Sequence, residues 1–522
     1  MKNSCVIIPA IKKNGIIPDQ LIKKLNGITL IQRAINTAKK LDFDIYVVTD
    51  SQEISLIAER NSIKVIYNSD FKIQPANILD NFRYFLKDIL SKYKNFIIYR
   101  ANTPLVDSDI ISSAYQQFID SKKTIISVKK EQKFIYTENN IRELHNSLYE
   151  INSFIIISSK NLKKRDYKFK PFTVPNEKAI EIESFQDWWI CEKLLQRKKI
   201  VIHTFGSTNL GMGHIYRSLA LAHEITNHEV VFICNKKYEL AVKQIASKDY
   251  KVITTDDIEK AIFSEKPDLV INDVLNTEKT FIQKLKNISK VVNFEDLGTG
   301  SEFSDFTINE LYEQSIKDGN NFLWGHKYYF LRDEFEDAKP HQFSENIESI
   351  LITFGGSDRN NLTLKTLNSI LSIAKERNIK INIVCGSGYL FREELETAIS
   401  KSGYQENIFL TFASGVISKI MENSQIAISS NGRTVYELAD MNIPAIVISQ
   451  HEREATHSFA TLDRGFINIG VIKNNIEKNI FENAKKLILD STYRELLFLN
   501  IKKYNFRKNK KKVVDMILEL ID

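Results

Sequence analysis

The strand-length apolar run Ile200-Val201-Ile202 leads into GSTNLGMGHIYRSLALA, residues 206–222. Ile215, Leu219 and Ala222 recur there at i, i+4 and i+7, so one helical face can pack on a sheet. Strand, glycine-rich turn and helix make one α/β unit, and a chain that repeats it is confined to layered folds built on parallel sheets. Gly211 and Gly213 let the backbone approach a bulky ligand and take φ values that a Cβ forbids. His214 falls at or just before the first helical turn, where unpaired N–H groups and the helix dipole favour an anion. An imidazole beside an anion cradle suits cleavage or transfer at a phosphate-linked group. The same pattern also arises as a plain turn carrying a polar surface histidine.

At 522 residues the chain exceeds one ordinary core, so two to four folding units are expected. With 43% hydrophobic and 26% charged residues it has the balance of a globular protein in water. The net charge of +7 is spread over 72 basic and 65 acidic side chains, too even to imply a nucleic-acid partner. The densest basic run, Arg507-Lys508-Asn509-Lys510-Lys511-Lys512, reads as a solvated helix face, with nucleic acid or anionic lipid as the alternative. Cys5, Cys191, Cys234 and Cys385 form no CxxC pair, which argues against a disulfide framework or a zinc site. A reduced, cytoplasmic setting is expected. The run at 5–10 is too short for a signal-peptide core, and no run reaches membrane-spanning length.

In the first 198 residues, strands are expected at 5–10, 44–50, 64–67, 96–100, 124–128, 148–157 and 179–183. Helices are expected between them at 30–40, 53–60, 78–92 and 108–119. The alternation predicts a mixed, mostly parallel sheet covered on both faces, with ligands at the carboxyl ends of the strands. Glu181 and Glu183 alternate along the last strand and share a face, where they form either a Mg²⁺ pair or an ordinary solvated edge.

Ile8-Pro9-Ala10, Ile17-Pro18 and Ile22-Lys23-Lys24-Leu25-Asn26-Gly27 resemble the opening of sugar cytidylyltransferases, which make CMP-activated nonulosonic acids. Val48-Thr49-Asp50-Ser51, Asn102-Thr103-Pro104-Leu105-Val106-Asp107, and Glu181-Ile182-Glu183 with Asp187 are similar to later motifs of that family. The resemblance implies a nucleotidyltransferase (GT-A-like) fold, a CTP site that includes Pro9, Ala10, Lys23 and Asn102, and Mg²⁺ at Glu181 and Glu183. Four positions depart from it. Ile11 and Gly15 stand where the family has an arginine and a lysine, and Gln20 and Leu21 replace a lysine and an asparagine. Those basic groups face the triphosphate, so their loss puts nucleotidyl transfer in question, even with Lys12, Lys13 and Lys23 close by.

After Lys198-Lys199 the alternation restarts, with strands at 200–205, 229–234, 269–273 and 291–295. A second set follows at 349–354, 381–385, 408–412, 426–430 and 445–449. The polar stretch 337–345, which contains Pro340, separates the two halves. Residues 199–339 and 340–522 are thus expected as two Rossmann-type lobes with a ligand cleft between them. The second half has its own glycine turns, at Phe354-Gly355-Gly356-Ser357-Asp358 and Ser430-Asn431-Gly432-Arg433-Thr434, each ahead of a helix that can hold a pyrophosphate. Glu437, one turn further, either accepts bonds from ribose hydroxyls or complements the dipole of its own helix.

Gly211-x-Gly213-His214-x-x-Arg217, Gly325 to Tyr328, Phe354 to Asp358, and Gly432-x-Thr434-x-x-Glu437 with Pro444 resemble the UDP-sugar hydrolase of the pseudaminic-acid pathway. That enzyme is similar to the GT-B glycosyltransferase that adds N-acetylglucosamine in peptidoglycan synthesis. The resemblance implies UDP held by Gly211, Gly213, Gly355, Gly356, Ser357, Asn431, Gly432, Thr434 and Glu437. It also implies His214 as general base on water, with no metal or other cofactor. Arg217, Asp273, Glu454 and His457 are placed on the substrate side. Here too there are departures: His203 and Phe205 replace an arginine and an aspartate. Gln450 to His457 replaces a Glu-Asn-Gln, a run that reads either as site residues or as a charged helix start. The expected function is hydrolysis of a UDP-linked diacetamido-trideoxy sugar in surface-glycan synthesis, with CTP or a CMP-sugar as a further partner. The alternative is a GT-B glycosyltransferase whose first unit binds or assembles without catalysis.

Overall fold

The computed structural model describes every residue except 1–2, 13–16, 70–78, 80–81, 84–85, 88, 137–141, 165–167, 208–210, 387, 413–414, 416 and 474. The chain divides into two compact units, Met1–Arg197 and Lys198–Asp522. Among the described residues no helix is long and apolar enough to cross a membrane.

The first unit is built on strands β1 (Ser4–Ala10), β4 (Asp44–Thr49), β5 (Lys64–Tyr67), β6 (Asn95–Tyr99), β7 (Thr124–Tyr136), β8 (Arg142–Ser158) and β9 (Phe169–Thr173). A small hairpin, β2 (Lys24–Leu25) and β3 (Ile28–Thr29), stands apart from them. The large sheet runs β5-β4-β1-β6-β8-β7-β9. Its pairs are parallel except where β8 lies antiparallel to β6 and β7. Every residue of β1 is buried, as a strand covered on both faces requires. Polar caps start the helices: Thr29, Ser51, Asp107 and Ser184 each accept a backbone N–H at the head of a helix.

Two expectations change here. Residues 179–183 form no strand; Ile182 is buried and donates to the Asn102 carbonyl at 2.8 Å, and the chain then enters Phe185–Gln196. β7 and β8 also run well beyond the expected 124–128 and 148–157 and pair along their length. Residues 78, 80–81, 84–85 and 88 of the expected helix at 78–92 lie outside the described residues, as do Lys13 and Gly15.

The second unit holds two sheets whose pairs are all parallel. The first comprises β10 (Lys199–Thr204), β11 (Glu229–Asn235), β12 (Val252–Thr255), β13 (Leu269–Asp273), β14 (Lys290–Phe294), β15 (Phe306–Asn309) and β16 (Phe322–Trp324). Its order is β12-β11-β10-β13-β14-β15-β16. The second comprises β17 (Ser349–Thr353), β18 (Lys380–Cys385), β19 (Ile408–Phe412), β20 (Ile426–Ser430), β21 (Ala445–Ser449) and β22 (Phe466–Val471). It runs β19-β18-β17-β20-β21-β22. In each sheet the winding reverses beside the first strand, at β10/β13 and at β17/β20. Such reversals open a crevice beyond the carboxyl ends of the strands, where doubly wound sheets bind ligands. The fold is therefore α/β throughout: one mixed sheet, then two Rossmann-type lobes.

The chain does not finish in the lobe that its order suggests. Val513, Val514, Ile517 and Ile521, on and just after helix Asn509–Leu518, are buried in one cluster with Ile200, Ile202, Ile215 and Leu219 of the first lobe. This corrects the 340–522 span expected for the second lobe; in the basic run Lys508, Lys511 and Lys512 are exposed as a solvated face requires, whereas Lys510 and Arg507 are not. Lys510 is buried and bonds Glu224 at 3.0 Å, Asp333 at 2.6 Å and Glu336 at 2.5 Å. Arg507 bonds Asp440 at 3.0 Å and the carbonyls of Glu336 and Ala338. The basic side chains fasten the returning helix.

Candidate active site

The site grows from the reversal at β10/β13. After β10 the chain passes Gly206, where a Cβ would sit 2.8 Å from Ile215 and 3.0 Å from the Met212 sulfur, so only hydrogen fits between strand and helix. Gly211 has φ +82°, in the left-handed region that favours glycine. Gly213 does not share that conformation. It opens helix Gly213–Glu224, and an added Cβ would lie 3.4 Å from Cδ of Arg433, a residue of the other lobe. Ile215, Leu219 and Ala222 are buried as the spacing predicts.

His214 is 7% exposed. Its Nδ1 lies 2.7 Å from Oδ1 of Asp273, the last residue of β13. The same Nδ1 lies 3.0 Å from a guanidinium nitrogen of Arg217; with the proton on Nδ1 toward the carboxylate, the Nε2 lone pair is left as a base, the arrangement that orients imidazoles in hydrolases. The ring of Phe205 lies 4.6 Å from the imidazole, centroid to centroid. The residue that departs from the family pattern thus packs against the His214 ring in this chain rather than supplying a charge. Asp273 also accepts from Arg217 Nε at 2.9 Å and Ser218 Oγ at 3.0 Å. Burial alone would raise its carboxyl, but the charge of Arg217 and the hydrogen bonds from Arg217 and His214 hold it well below the usual carboxylate range.

Arg217 is 1% exposed and does not reach outward. Its guanidinium meets Asp273, Glu310 and, at 3.3 Å, Glu295. That places it behind the site as the hub that fixes Asp273. Glu310 also takes Arg433 NH1 at 2.6 Å, and its backbone carbonyl accepts from Tyr436 at 3.2 Å, so one carboxylate ties the two lobes together.

The glycine turns of the second lobe stand against this arrangement. A Cβ at Gly356 would lie 3.4 Å from the Met212 nitrogen and 3.5 Å from Gly211 Cα, so the two turns face each other across the cleft. Gly355 has φ +74°. Gly386, after β18, lies so close behind that its Cβ would be 2.5 Å from both Cα and O of Gly356. Ser357 is half-buried, whereas Asp358 is buried and caps the next helix through the N–H groups of Leu362 and Thr363. Gly432 has open space where a Cβ would be, with only Ser430 Oγ at 3.9 Å, and Thr434 opens helix Thr434–Asp440. Asn431 turns its amide toward the carbonyls of Glu454 at 2.8 Å and His457 at 3.0 Å, and so holds the loop after β21. Glu437 is buried and accepts from Arg332 Nε at 2.9 Å.

The run that replaces the family's Glu-Asn-Gln contains both of its expected features. Glu452–Ala455 is a short helix capped by His451, the charged helix start. Around it, Glu454 accepts from the Gln450 N–H at 2.7 Å, and burial near Asp358 and Glu295 raises its carboxyl to about 7. Arg453 donates to the Glu295 carbonyl at 3.3 Å. His457 is buried, its Nδ1 is 2.8 Å from the Asn431 carbonyl, and burial depresses its pKa. Its Nε2 is buried without a partner among the described residues.

In the first unit the residues read as a CTP site are differently disposed. Pro9 and Ala10 end β1, and Lys23 is exposed. Asn102 is buried and donates to Glu181 at 2.9 Å. Glu181 faces Arg100 at 2.8 Å, while Glu183 is exposed. Asp187 completes a capping box with Ser184, which accounts for its place in the motif. Without a strand at 179–183, and with Glu181 opposed by a guanidinium, the two carboxylates do not fit a shared Mg²⁺. Among the described residues no cluster of three metal-binding side chains occurs. Three of the four substituted positions are structural. Gln20 is buried and bonds the Ile182 carbonyl at 2.7 Å, Leu21 sits in the core, and Ile11 packs against a second apolar cluster.

Sequence reasoning missed Glu295, Glu310, Arg433 and Gly386. Glu295 had been read as the end of a strand, although the strand stops at Phe294 and Glu295 has φ +53°. The Gly386-Ser387-Gly388 run after β18 was a readable signal for Gly386; nothing local marks Glu310 or Arg433.

No family model matches the chain. It is 33% identical over 274 residues to an uncharacterised protein of Methanocaldococcus jannaschii, covering 49% of this chain and 56% of that one. It is 25% identical over 276 residues to the spore coat polysaccharide biosynthesis protein SpsG of Bacillus subtilis, covering 50% of this chain and 80% of that one. The SpsG match is longer than the 197-residue first unit, so it includes part of the second. The N-terminal region resembles a 3-deoxy-manno-octulosonate cytidylyltransferase of Francisella tularensis, 28% identical over 148 residues, with 27% of this chain and 58% of that one covered. The chain thus spans little more than half the length of the first and last of these relatives. Among solved structures, the MurG of Acinetobacter baumannii aligns with a TM-score of 0.45 at 12% identity, over 62% of this chain and 99% of that one.

Proposed function

We propose that the second unit hydrolyses a UDP-linked diacetamido-trideoxy sugar to UDP and free sugar, within nonulosonic-acid or other surface-glycan biosynthesis. One observation carries this reading: the Asp273–His214 pair sits at the reversal of the first sheet, and the turn beside it faces Gly356 of the second lobe. In this reading His214 Nε2 takes a proton from water, the water oxygen bonds the anomeric carbon, and the bond to the pyrophosphate breaks toward UDP. Gly213, Gly355, Gly356 and Ser357 cradle the departing diphosphate through backbone N–H groups, beside Gly211, whose own N–H is taken by the Ser207 carbonyl at 2.9 Å, with Asn431, Gly432, Thr434 and Glu437 on the nucleoside side. Arg217 holds Asp273, while Glu454 and His457 border the sugar.

The spore coat polysaccharide biosynthesis role of SpsG and the cytidylyltransferase likeness support placing the chain in nucleotide-sugar chemistry. For the first unit we infer a fold that holds CTP or a CMP-sugar with little turnover, because Ile11, Gln20 and Leu21, at positions that would steady a triphosphate, are spent on packing. Mg²⁺ there rests on family resemblance alone, and no step is drawn through it.

The test is a mass-spectrometric screen of UDP-sugars with wild type and His214→Ala. UDP and free sugar from wild type, reduced about 10²–10⁴-fold in the variant, is the expected result. A new glycosidic bond formed without free sugar would replace hydrolysis by glycosyl transfer.

A further inference from the structure

Three carboxylates surround Arg217, and they are not equivalent. The side chains of Asp273 and Glu310 are 1% exposed, whereas that of Glu295 is 11% exposed. Asp273 is tightly engaged and Glu310 is closed off, one of its oxygens bonded to Arg217 and Arg433 and the other buried without a partner among the described residues, whereas Glu295 meets Arg217 at 3.3 Å and the guanidinium of Arg453 at 3.8 Å. Arg217 already has two close anionic partners, so its neutralisation does not call for a third.

The backbone supplies a second, independent observation. Glu295 has φ +53°, whereas most non-glycine residues with positive φ among the described ones are Asn or Asp. The next residue, Asp296, is fully buried and accepts from Thr277 N at 2.9 Å, Thr277 Oγ1 at 2.5 Å, Asn293 at 2.8 Å and Gly298 N at 2.8 Å. This network holds the turn, and with it the unusual backbone conformation of Glu295. Strained residues of this kind collect where a side chain must be aimed. Burial would raise the Glu295 carboxyl, yet His214, Arg217, His457 and Arg453 act on it together and hold it to about 2. It therefore remains an anion beside the guanidinium groups of Arg217 in one lobe and Arg453 in the other.

We propose that Glu295 is a catalytic residue whose carboxylate faces the sugar and opposes the positive charge that develops at the anomeric carbon as the bond to UDP breaks. The inference rests on the hydrolysis reading and deepens it. The electron pair of the breaking bond leaves with the β-phosphate oxygen, water supplies the new oxygen, and its proton passes to His214. Glu295 forms no covalent bond and moves no proton. A fixed anion beside an oxocarbenium-like centre, shielded from bulk water, lowers the barrier without changing how tightly UDP binds.

The experiment compares wild type, Glu295→Gln, Glu295→Asp and His214→Ala in three measurements on the full chain. UDP affinity by calorimetry is expected to stay within about threefold of wild type in Glu295→Gln, while kcat for UDP release falls about 100-fold at little changed KM. Glu295→Asp should recover about tenfold of that loss, since charge rather than shape is what matters. The third measurement needs no turnover: with UDP bound, the cationic iminosugar 1-deoxynojirimycin should bind wild type about tenfold tighter than Glu295→Gln. Failure of wild type to bind UDP overturns the hydrolysis reading and this inference together. UDP binding with undiminished kcat in Glu295→Gln, or with equal iminosugar affinity in both proteins, overturns the role of Glu295 alone.

Discussion

In the first unit, the loop after β1 runs into Lys12, whose ammonium is 2.6 Å from Glu53 on an exposed surface. Arg100 is likewise neutralised by Glu181, and Lys178 by Asp107. In the second unit, the loop after β10 leads to a histidine joined to a buried aspartate, an arginine among three carboxylates, and glycine turns that face each other. Both places lie at the carboxyl ends of parallel strands. The first has charges that have found one another and turns filled by Gln20 and Leu21. The second keeps its charges in a buried scaffold and leaves the imidazole and backbone N–H groups for something else. Possession of the right residue types is therefore a weak guide. What distinguishes the two is whether their charges are already satisfied.

The sharpest way to break this contrast is to remove the hub. Arg217→Met strands Asp273 and Glu310 as buried anions and should destabilise the second unit by roughly 3–5 kcal/mol. Chemical denaturation followed by tryptophan fluorescence should show the loss, and a shift below about 1 kcal/mol would mean that the three carboxylates do not depend on it. Next comes Gly386→Ala, whose methyl would lie 2.5 Å from the Gly356 backbone. A displaced turn should cost about 1–3 kcal/mol of stability and weaken UDP binding by at least as much; calorimetry with unchanged affinity would separate that turn from the ligand.

Ile11→Arg with Gly15→Lys probes the first unit. If satisfied charges and packed turns are what silence it, pyrophosphate release from CTP and a nonulosonic acid should rise about tenfold over wild type. Robust release by wild type itself would erase the contrast. The smallest effect concerns Glu454. Its folded carboxyl binds a proton more tightly than the ordinary 4.5, so its contribution to stability is complete below 4.5 and is lost as pH rises to about 7. Glu295 is shifted the other way, so its contribution is present above 4.5 and disappears only as pH falls to about 2. Glu454→Gln should therefore flatten the decline of Tm between pH 4.5 and 7 seen by scanning calorimetry. An unchanged slope would place the raised carboxyl elsewhere.

The alternation of apolar runs with helical periodicity gave β1, β4, β5, β10, β13 and β17 within a residue or so of their observed ends. Those are buried strands, whose composition reports the layer they occupy. β12, β15, β16 and β22 escaped because they are short or partly exposed, and their residues carry little periodic signal. At the candidate site, His214 and the glycine turns were legible because a strand–turn–helix passage needs glycine locally. Glu310 and Arg433 were not, since their meaning lies in a contact between segments 123 residues apart. Glu181 and Glu183 looked like a pair only while a strand was assumed beneath them.

The helix Asn509–Leu518 returns to the core of the first lobe, so the lobes of the second unit are strapped twice, once near 337–345 and once just before that helix. A body tethered at two points to another can swing about the line through them but cannot twist freely or slide. Any gape of the cleft then resembles a book opening on its spine: the pages part, and the facing lines of print stay level with each other.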